Sequence, residues 1–197
     1  MNVCSKDFPM VCVGGSAGGS AAYAQLLKYL PPGMGVAIVI VNHIRKTSAT
    51  LHKILPSHTT MPVELITESL PIQPDHIYVI PSNRDLHVLD GKFHLKPMSK
   101  PKGWPDVITL FLRSLARNWD GKLVAVIVSG LDADGTEALN RIKEVGGITI
   151  AQTPDTAEWS DMPESAIKTG HIDFVLSVED IAQKIAEIAH AFPGKAT

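Results

Sequence analysis

Val11-Cys12-Val13-Gly14-Gly15-Ser16-Ala17-Gly18-Gly19-Ser20 is the stretch from which the rest of the chain can be read. A short apolar run stops at two glycines, Ser16 stands at the apex, two more glycines follow, and a helical pattern runs from Ala21 to Leu30. That order predicts a strand, a tight turn and a helix, with a hydroxyl presented at the turn. Glycine tolerates backbone angles that a Cβ resists, and it lets another molecule come close. The helix aims its free N–H groups and positive dipole end back at the turn. Three readings fit this loop. Gly14-x-Ser16-x-Gly18 matches the G-x-S-x-G nucleophile elbow. A phosphate or dinucleotide cradle is the second, although neither G-x-G-x-x-G nor the P-loop lysine is met. The third is a glycine-rich βα turn without chemistry.

Outward from this loop, apolar runs alternate with helical patterns. Val36–Val41 is continuous and β-branched, as expected of a strand buried on both faces of a parallel sheet. Thr47 or Ser48 is expected to cap a helix reaching about Leu55. Met61–Leu65 and His76–Pro81 are short strand candidates. Leu86–Leu89, Asp90-Gly91 and Lys92–Leu95 form a hairpin signal, since Asp-Gly suits a type I′ turn. His87 and His94 are then expected as solvated cross-strand residues. A helix should start at Trp104-Pro105-Asp106 and run to Arg117, followed by a buried strand at Leu123–Val128 and a helix from Gly135 to Glu144. Ile148–Ala151, a polar loop at 152–162, a helix opened by Pro163, the strand Phe174–Leu176 and an amphipathic helix at Val178–Ala191 complete the chain. The pattern predicts an α/β fold, doubly wound, with a mainly parallel sheet, helices on both faces and one inserted antiparallel hairpin.

The 197 residues suit one domain, expected over 10–192, after a lead-in at 1–9 and before a tail at 193–197. With 18 basic and 20 acidic residues, and no basic run longer than Arg45-Lys46, nothing points to nucleic acid. Cys4 and Cys12 make neither C-x-x-C nor zinc-ligand spacing. Val36–Val41 is far too short to span a bilayer, and the N-terminus lacks signal-peptide form. A cytoplasmic protein without membrane insertion is the expectation.

Ligands of open parallel sheets bind outside the carboxyl ends of the strands. Three expected strands end there in chemically useful residues: Ser16, His43 and the Asp132/Asp134 loop. Serine, histidine and a carboxylate on one sheet edge make a nucleophile triad, in which the imidazole takes the hydroxyl proton. Each also has a bland reading. His43 can be a hydrogen-bonded loop residue, and Asp132-x-Asp134-Gly135 an Asx-type helix start; the remaining ligands of a calcium loop are missing. The order Ser, His, acid differs from the Ser, acid, His order of α/β-hydrolases. That order would require a late histidine, His171 or His190; His190 looks surface-exposed, and His171 stays open.

Several segments together resemble the catalytic domain of CheB-type chemotaxis protein-glutamate methylesterases. These are Val13–Gly19, Val39–His43, Asp75–Pro81 with the hairpin after it, Val128–Gly135, Gly146–Gln152 and Met162–Ile167. The resemblance implies Ser16 as nucleophile, His43 as base and Asp134, the acid directly before glycine, as the orienting carboxylate. It implies a main-chain oxyanion donor at Leu131, with Ala17, Asp132 and Met162 lining the site. Leu131 replaces the family's usual methionine, Ala17 a frequent threonine, and Asp132 a usual glycine, which sets a carboxylate near developing negative charge. The implied reaction is hydrolysis of glutamate γ-methyl esters, with glutamine deamidation through the same acyl-enzyme, on the methylated cytoplasmic domain of a methyl-accepting chemoreceptor, and it needs no metal or cofactor. The family's receiver domain has no counterpart before the first strand, so the expectation is either a separated catalytic domain or a stand-alone protein controlled some other way, with a receiver in trans as a candidate regulatory partner. A non-catalytic binding module on the same fold and a small-molecule serine esterase are the alternatives.

Overall fold

A computed structural model describes residues 8–42, 45–100 and 105–192. In chain order its elements are β1 (Met10–Gly15), α1 (Gly19–Tyr29), β2 (Ala37–Asn42), α2 (Arg45–Ile54), β3 (Val63–Leu65), β4 (His76–Val79), β5 (Arg84–Leu89), β6 (Lys92–Pro97), α3 (Val107–Asn118), β7 (Leu123–Ile127), α4 (Leu139–Glu144), β8 (Ile148–Gln152), α5 (Asp161–Lys168), β9 (Phe174–Leu176) and α6 (Val178–Ala191). Seven strands form one parallel sheet in the order β3-β4-β2-β1-β7-β8-β9. β5 and β6 make a separate antiparallel hairpin, closed by Asp90 and Gly91 at φ 52° and 71°, as a type I′ turn requires. His87 and His94 face each other across it, half-buried, and His94 Nδ1 lies 2.8 Å from Glu68 Oε1.

The sheet is covered twice. Alternate residues of β1 point to opposite faces. Met10 and Cys12 join Phe111, Leu112, Ile142 and Phe93 beneath α3, α4 and the hairpin, whereas Val11 and Val13 join Leu26, Leu27, Leu51 and Ile181 beneath α1, α2 and α6. Every residue of β1, β2 and β7 is buried, which accounts for their unbroken apolar sequences. From β1 the chain first winds through β2 toward β3 and β4, then crosses back to β7 on the other side of β1. The strand order therefore switches between β1 and β7, and the crevice of such a sheet opens at their carboxyl ends.

Four expected boundaries move. α2 starts at Arg45, so Thr47 and Ser48 lie within the helix and do not cap it. α3 starts at Val107, and Asp106 at its N-cap makes no side-chain capping bond; the first-turn donors are taken by a carboxylate from elsewhere. The helix expected after Gly135 begins as a 3₁₀ turn at Thr136–Ala138, because i→i+3 bonds from Thr136 to Ala133 and from Ala138 to Gly135 tighten it. α5 begins at Asp161, which puts Pro163 inside its first turn.

Candidate active site

β1 is hydrogen-bonded on both sides, to β2 and β7, up to Gly14, and its last residue Gly15 pairs with Asn42. The ladder toward β7 continues into the loops: Val128 N donates to Gly14 O at 2.9 Å, and Ser16 N to Ser129 O at 2.9 Å. The chain then reverses in a four-residue turn closed by Gly19 N donating to Ser16 O at 3.0 Å. Gly18 sits at φ 72°, ψ −9°, and Ala17 is not among the positive-φ residues, which makes this a type II turn. Glycine is required at that third position because φ is positive. Ser16 is only 3% exposed.

Opposite the turn lies the loop after β7. A Cβ placed on Gly130 would lie 3.0 Å from Ser16 Cβ and 2.8 Å from Met162 Sδ, so Gly130 brings the serine and Met162 against one another. Met162 N donates to Gly130 O at 3.0 Å, which ties α5 to the same point. The main-chain N–H groups of Ala17, Gly18 and Leu131 have no acceptor among the described residues. Ala17 and Gly18 are half-buried, where such donors are rare unless something else accepts from them, whereas Leu131 is exposed.

Asp134 is buried, and both its oxygens are anchored at the start of α3: Ile108 N donates to Oδ2 and Thr109 N to Oδ1, each at 2.9 Å. This is the cap that Asp106 does not supply; a carboxylate here also meets the positive end of the helix dipole. Thr109 Oγ1 accepts from Gly135 N at 2.8 Å and holds the loop from the other side. Asp132 is half-buried and turned back on its own loop, where Oδ1 accepts from Asp134 N at 2.7 Å. That is the Asx-type turn anticipated as its bland reading. Asp106, Thr109, Asp132 and Asp134 line a cavity of about 300 Å³ beside α3. Burial pushes the nearby Cys12 thiol far up, and the Asp134 charge adds to this, so Cys12 remains an inert core thiol.

The sequence-predicted residues separate as follows. Ser16, Ala17, Leu131, Asp132 and Asp134 collect on the loops at the β1/β7 switch, and Met162, in the first turn of α5, meets them at Gly130. His43 lies outside the described residues; Asn42, immediately before it, is buried at the end of β2, beside Gly15. His171 and His190 fall elsewhere. His171 O accepts from Thr149 Oγ1 near the start of β8, on the opposite sheet edge. His190 is exposed in the last turn of α6, which runs back from the carboxyl edge after β9. Among the described residues no three His, Cys, Asp or Glu side chains gather as a metal site, and no helix is long and apolar enough to cross a membrane. Sequence reasoning missed Ser129 and Gln152, which bond to both sides of the crevice. Their sequence signals were their places at the ends of buried strands and inside two of the segments that carry the family resemblance, neither of which shows what they bond.

A parallel α/β sheet with a serine loop at its switch point, main-chain donors that lack an acceptor among the described residues and an anchored carboxylate has the layout of a hydrolytic enzyme. Comparison with known proteins makes the class specific. The family model described as CheB methylesterase matches residues 11–185, and the chain belongs to that family. It is 32% identical over 181 residues to the Pseudomonas aeruginosa protein-glutamate methylesterase/protein-glutamine glutaminase 3, covering 91% of this chain and 54% of that one. A Leptospira interrogans protein provisionally given the same two activities is 33% identical over 180 residues, covering 90% of this chain and 93% of that one. The crystal structure of the Thermotoga maritima CheB methylesterase catalytic domain superposes with a TM-score of 0.84 at 28% identity, covering 92% of this chain and 99% of that one.

Proposed function

We propose that this protein hydrolyses glutamate γ-methyl esters on the methylated cytoplasmic domain of a chemoreceptor, with Ser16 as nucleophile, His43 as base and Asp134 as the orienting acid. Ser16 Oγ attacks the ester carbonyl while the imidazole takes its proton. The tetrahedral intermediate collapses, methanol leaves with that proton, and water cleaves the acyl-enzyme to glutamate by the same steps. A glutamine side chain entering the same site would release ammonia in place of methanol.

The observation that carries this reading is the meeting of the Ser16 turn with the Gly130-Leu131 loop in a chain of this family. The unaccepted N–H groups of Ala17, Gly18 and Leu131 are the donors an oxyanion needs, each worth roughly 2.7–4 kcal/mol in such sites. Asp134 spends one lone pair of each oxygen on α3, and a carboxylate offers about four. The carboxylate that would orient the imidazole is thereby immobilised. Asp132, engaged with Asp134 N, is assigned to shaping the loop.

The test is methanol release from a methylated receptor fragment. Ser16→Ala is expected to lower turnover by roughly 10⁴-fold or more, because triad members act as a unit. Undiminished release by that variant, or none by the wild type, would end the proposal. Rapid cleavage of a generic aryl ester with the receptor ester untouched would indicate a small-molecule esterase, and receptor binding without turnover a non-catalytic module.

A further inference from the structure

Ser129 is 1% exposed and uses its hydrogen-bonding groups on four different positions of the chain. Its N–H donates to Gln152 Oε1 at 3.0 Å, and its carbonyl accepts from Ser16 N at 2.9 Å. Its hydroxyl donates to Ala17 O at 2.8 Å and accepts from Trp159 N at 3.0 Å. Gln152 extends the set by donating through Nε2 to Thr156 O at 2.9 Å, and Gly130 N donates to Trp159 O at 3.0 Å. One small buried residue thus joins the serine turn, the end of β8 and the loop leading to α5, its main-chain N–H reaching β8 and its hydroxyl the other two.

The bond to Ala17 O has a consequence for the turn. A type II turn differs from type I by a flip of its central peptide, here Ala17–Gly18. Glycine at the third position accepts either form, so Gly18 alone does not choose between them. The Ser129 hydroxyl, packed so closely that a Cβ on Gly18 would lie 2.5 Å from its Oγ, holds the Ala17 carbonyl on its own side. In a planar trans peptide the N–H points opposite to the C=O, so the Gly18 N–H is turned away from Ser129 and left without an acceptor among the described residues.

We propose that Ser129 is a positioning residue for acyl transfer: its hydroxyl locks the Ala17–Gly18 peptide in the type II orientation and fixes that turn to the Trp159 loop, so the main-chain donors beside Ser16 keep one direction and spacing. The proposal rests on the hydrolytic reading of the site. Alanine at 129 removes both bonds and frees the peptide to flip. Threonine keeps a hydroxyl, whereas cysteine keeps the size with a weak donor and acceptor.

The test combines steady-state methanol release with amide hydrogen exchange on the full chain. Ser129→Ala is expected to lower kcat about 10- to 100-fold, the scale of a small misplacement, with KM within about threefold of wild type. The Trp159 amide should exchange at least about tenfold faster while β1 and β7 amides stay protected. Ser129→Thr should recover kcat to within about fivefold. If Ser129→Ala does not fold, Ser129→Cys is measured in its place and should show the same kcat-specific loss. A kcat within about twofold of wild type, a loss carried by KM, or exchange rising uniformly across the sheet would each overturn the proposal. A wild type without methanol release sinks the functional reading instead; the exchange arm then decides alone, and an unchanged Trp159 amide rejects the clamp.

Discussion

Two polar knots stand at opposite edges of the same sheet. At the amino edge of β8 and β9, Asp173 accepts from Thr149 N at 2.9 Å and Thr149 Oγ1 at 3.0 Å and pairs with Lys143, while its own N–H returns to Thr149 O at 2.9 Å. At the carboxyl edge of β1 and β7, Asp134 is gripped as firmly by Ile108 and Thr109, yet the Ala17, Gly18 and Leu131 N–H groups beside it have no acceptor among the described residues. Both carboxylates are anchored by main-chain donors, so anchoring alone does not mark a site. The difference is the donors left over. A knot that only holds strands together uses up its donors, because each unmet one costs free energy; a knot built for a reacting group leaves some for it.

Exchanging each carboxylate for its amide should separate the two knots most sharply. On the proposed mechanism Asp134→Asn lowers kcat by about 10³- to 10⁴-fold, since the imidazole loses its orienting charge. Asp173→Asn should leave kcat within about twofold. Steady-state methanol release checks both, and equal losses would erase the distinction. Next in size is Gly130→Ala. Its Cβ would press on Met162 Sδ at 2.8 Å and Ser16 Cβ at 3.0 Å. An activity loss of about 10- to 100-fold is expected, with a stability loss of about 1–3 kcal/mol in urea unfolding.

The amino-edge knot should respond to pH through stability. Burial acts to raise the Asp173 carboxyl, but Lys143 and the two Thr149 donors outweigh it and hold the carboxyl below its ordinary value. A carboxyl held low when folded contributes stability above its unfolded value, near 3.9, and loses it as pH falls through the folded value. Asp173→Asn should therefore cost about 1–2 kcal/mol at pH 7, and the gap to wild type should close below about pH 4. A gap that persists at pH 2 would mean that packing, not charge, holds this edge. The smallest effect concerns Tyr23, whose buried hydroxyl has no hydrogen-bond partner among the described residues and lies under the serine turn, 2.5 Å from where a Gly15 Cβ would stand. Tyr23→Phe removes an unmet donor and should stabilise by up to about 1 kcal/mol with unchanged turnover. Lost turnover would make that hydroxyl part of the site.

How much was legible in the sequence follows from the range of the interactions. The β2 run, the Asp90-Gly91 turn and α6, with Ser177 at its N-cap accepting from Asp180 N, are local and read correctly. The start of α3 did not, because its capping carboxylate comes from 26 residues downstream. Asp132 was legible as an acid beside the loop, and its bond from Asp134 N, two residues on, is the local Asx-type turn that the sequence offered. Ser129 was invisible as anything but a strand-end residue, since its hydroxyl reaches Ala17, 112 residues away.

The amino-acid order by itself determined the alternation of buried strands and amphipathic helices, the glycine-rich serine turn and the set of side chains able to do acyl chemistry, because periodicity and turn preference act over a few residues. Tertiary structure alone decided which side the Ala17–Gly18 peptide faces, which main-chain donors lack an acceptor among the described residues and where Asp134 directs its oxygens. Those outcomes depend on hydrogen bonds between segments that meet only once the strand order has switched between β1 and β7.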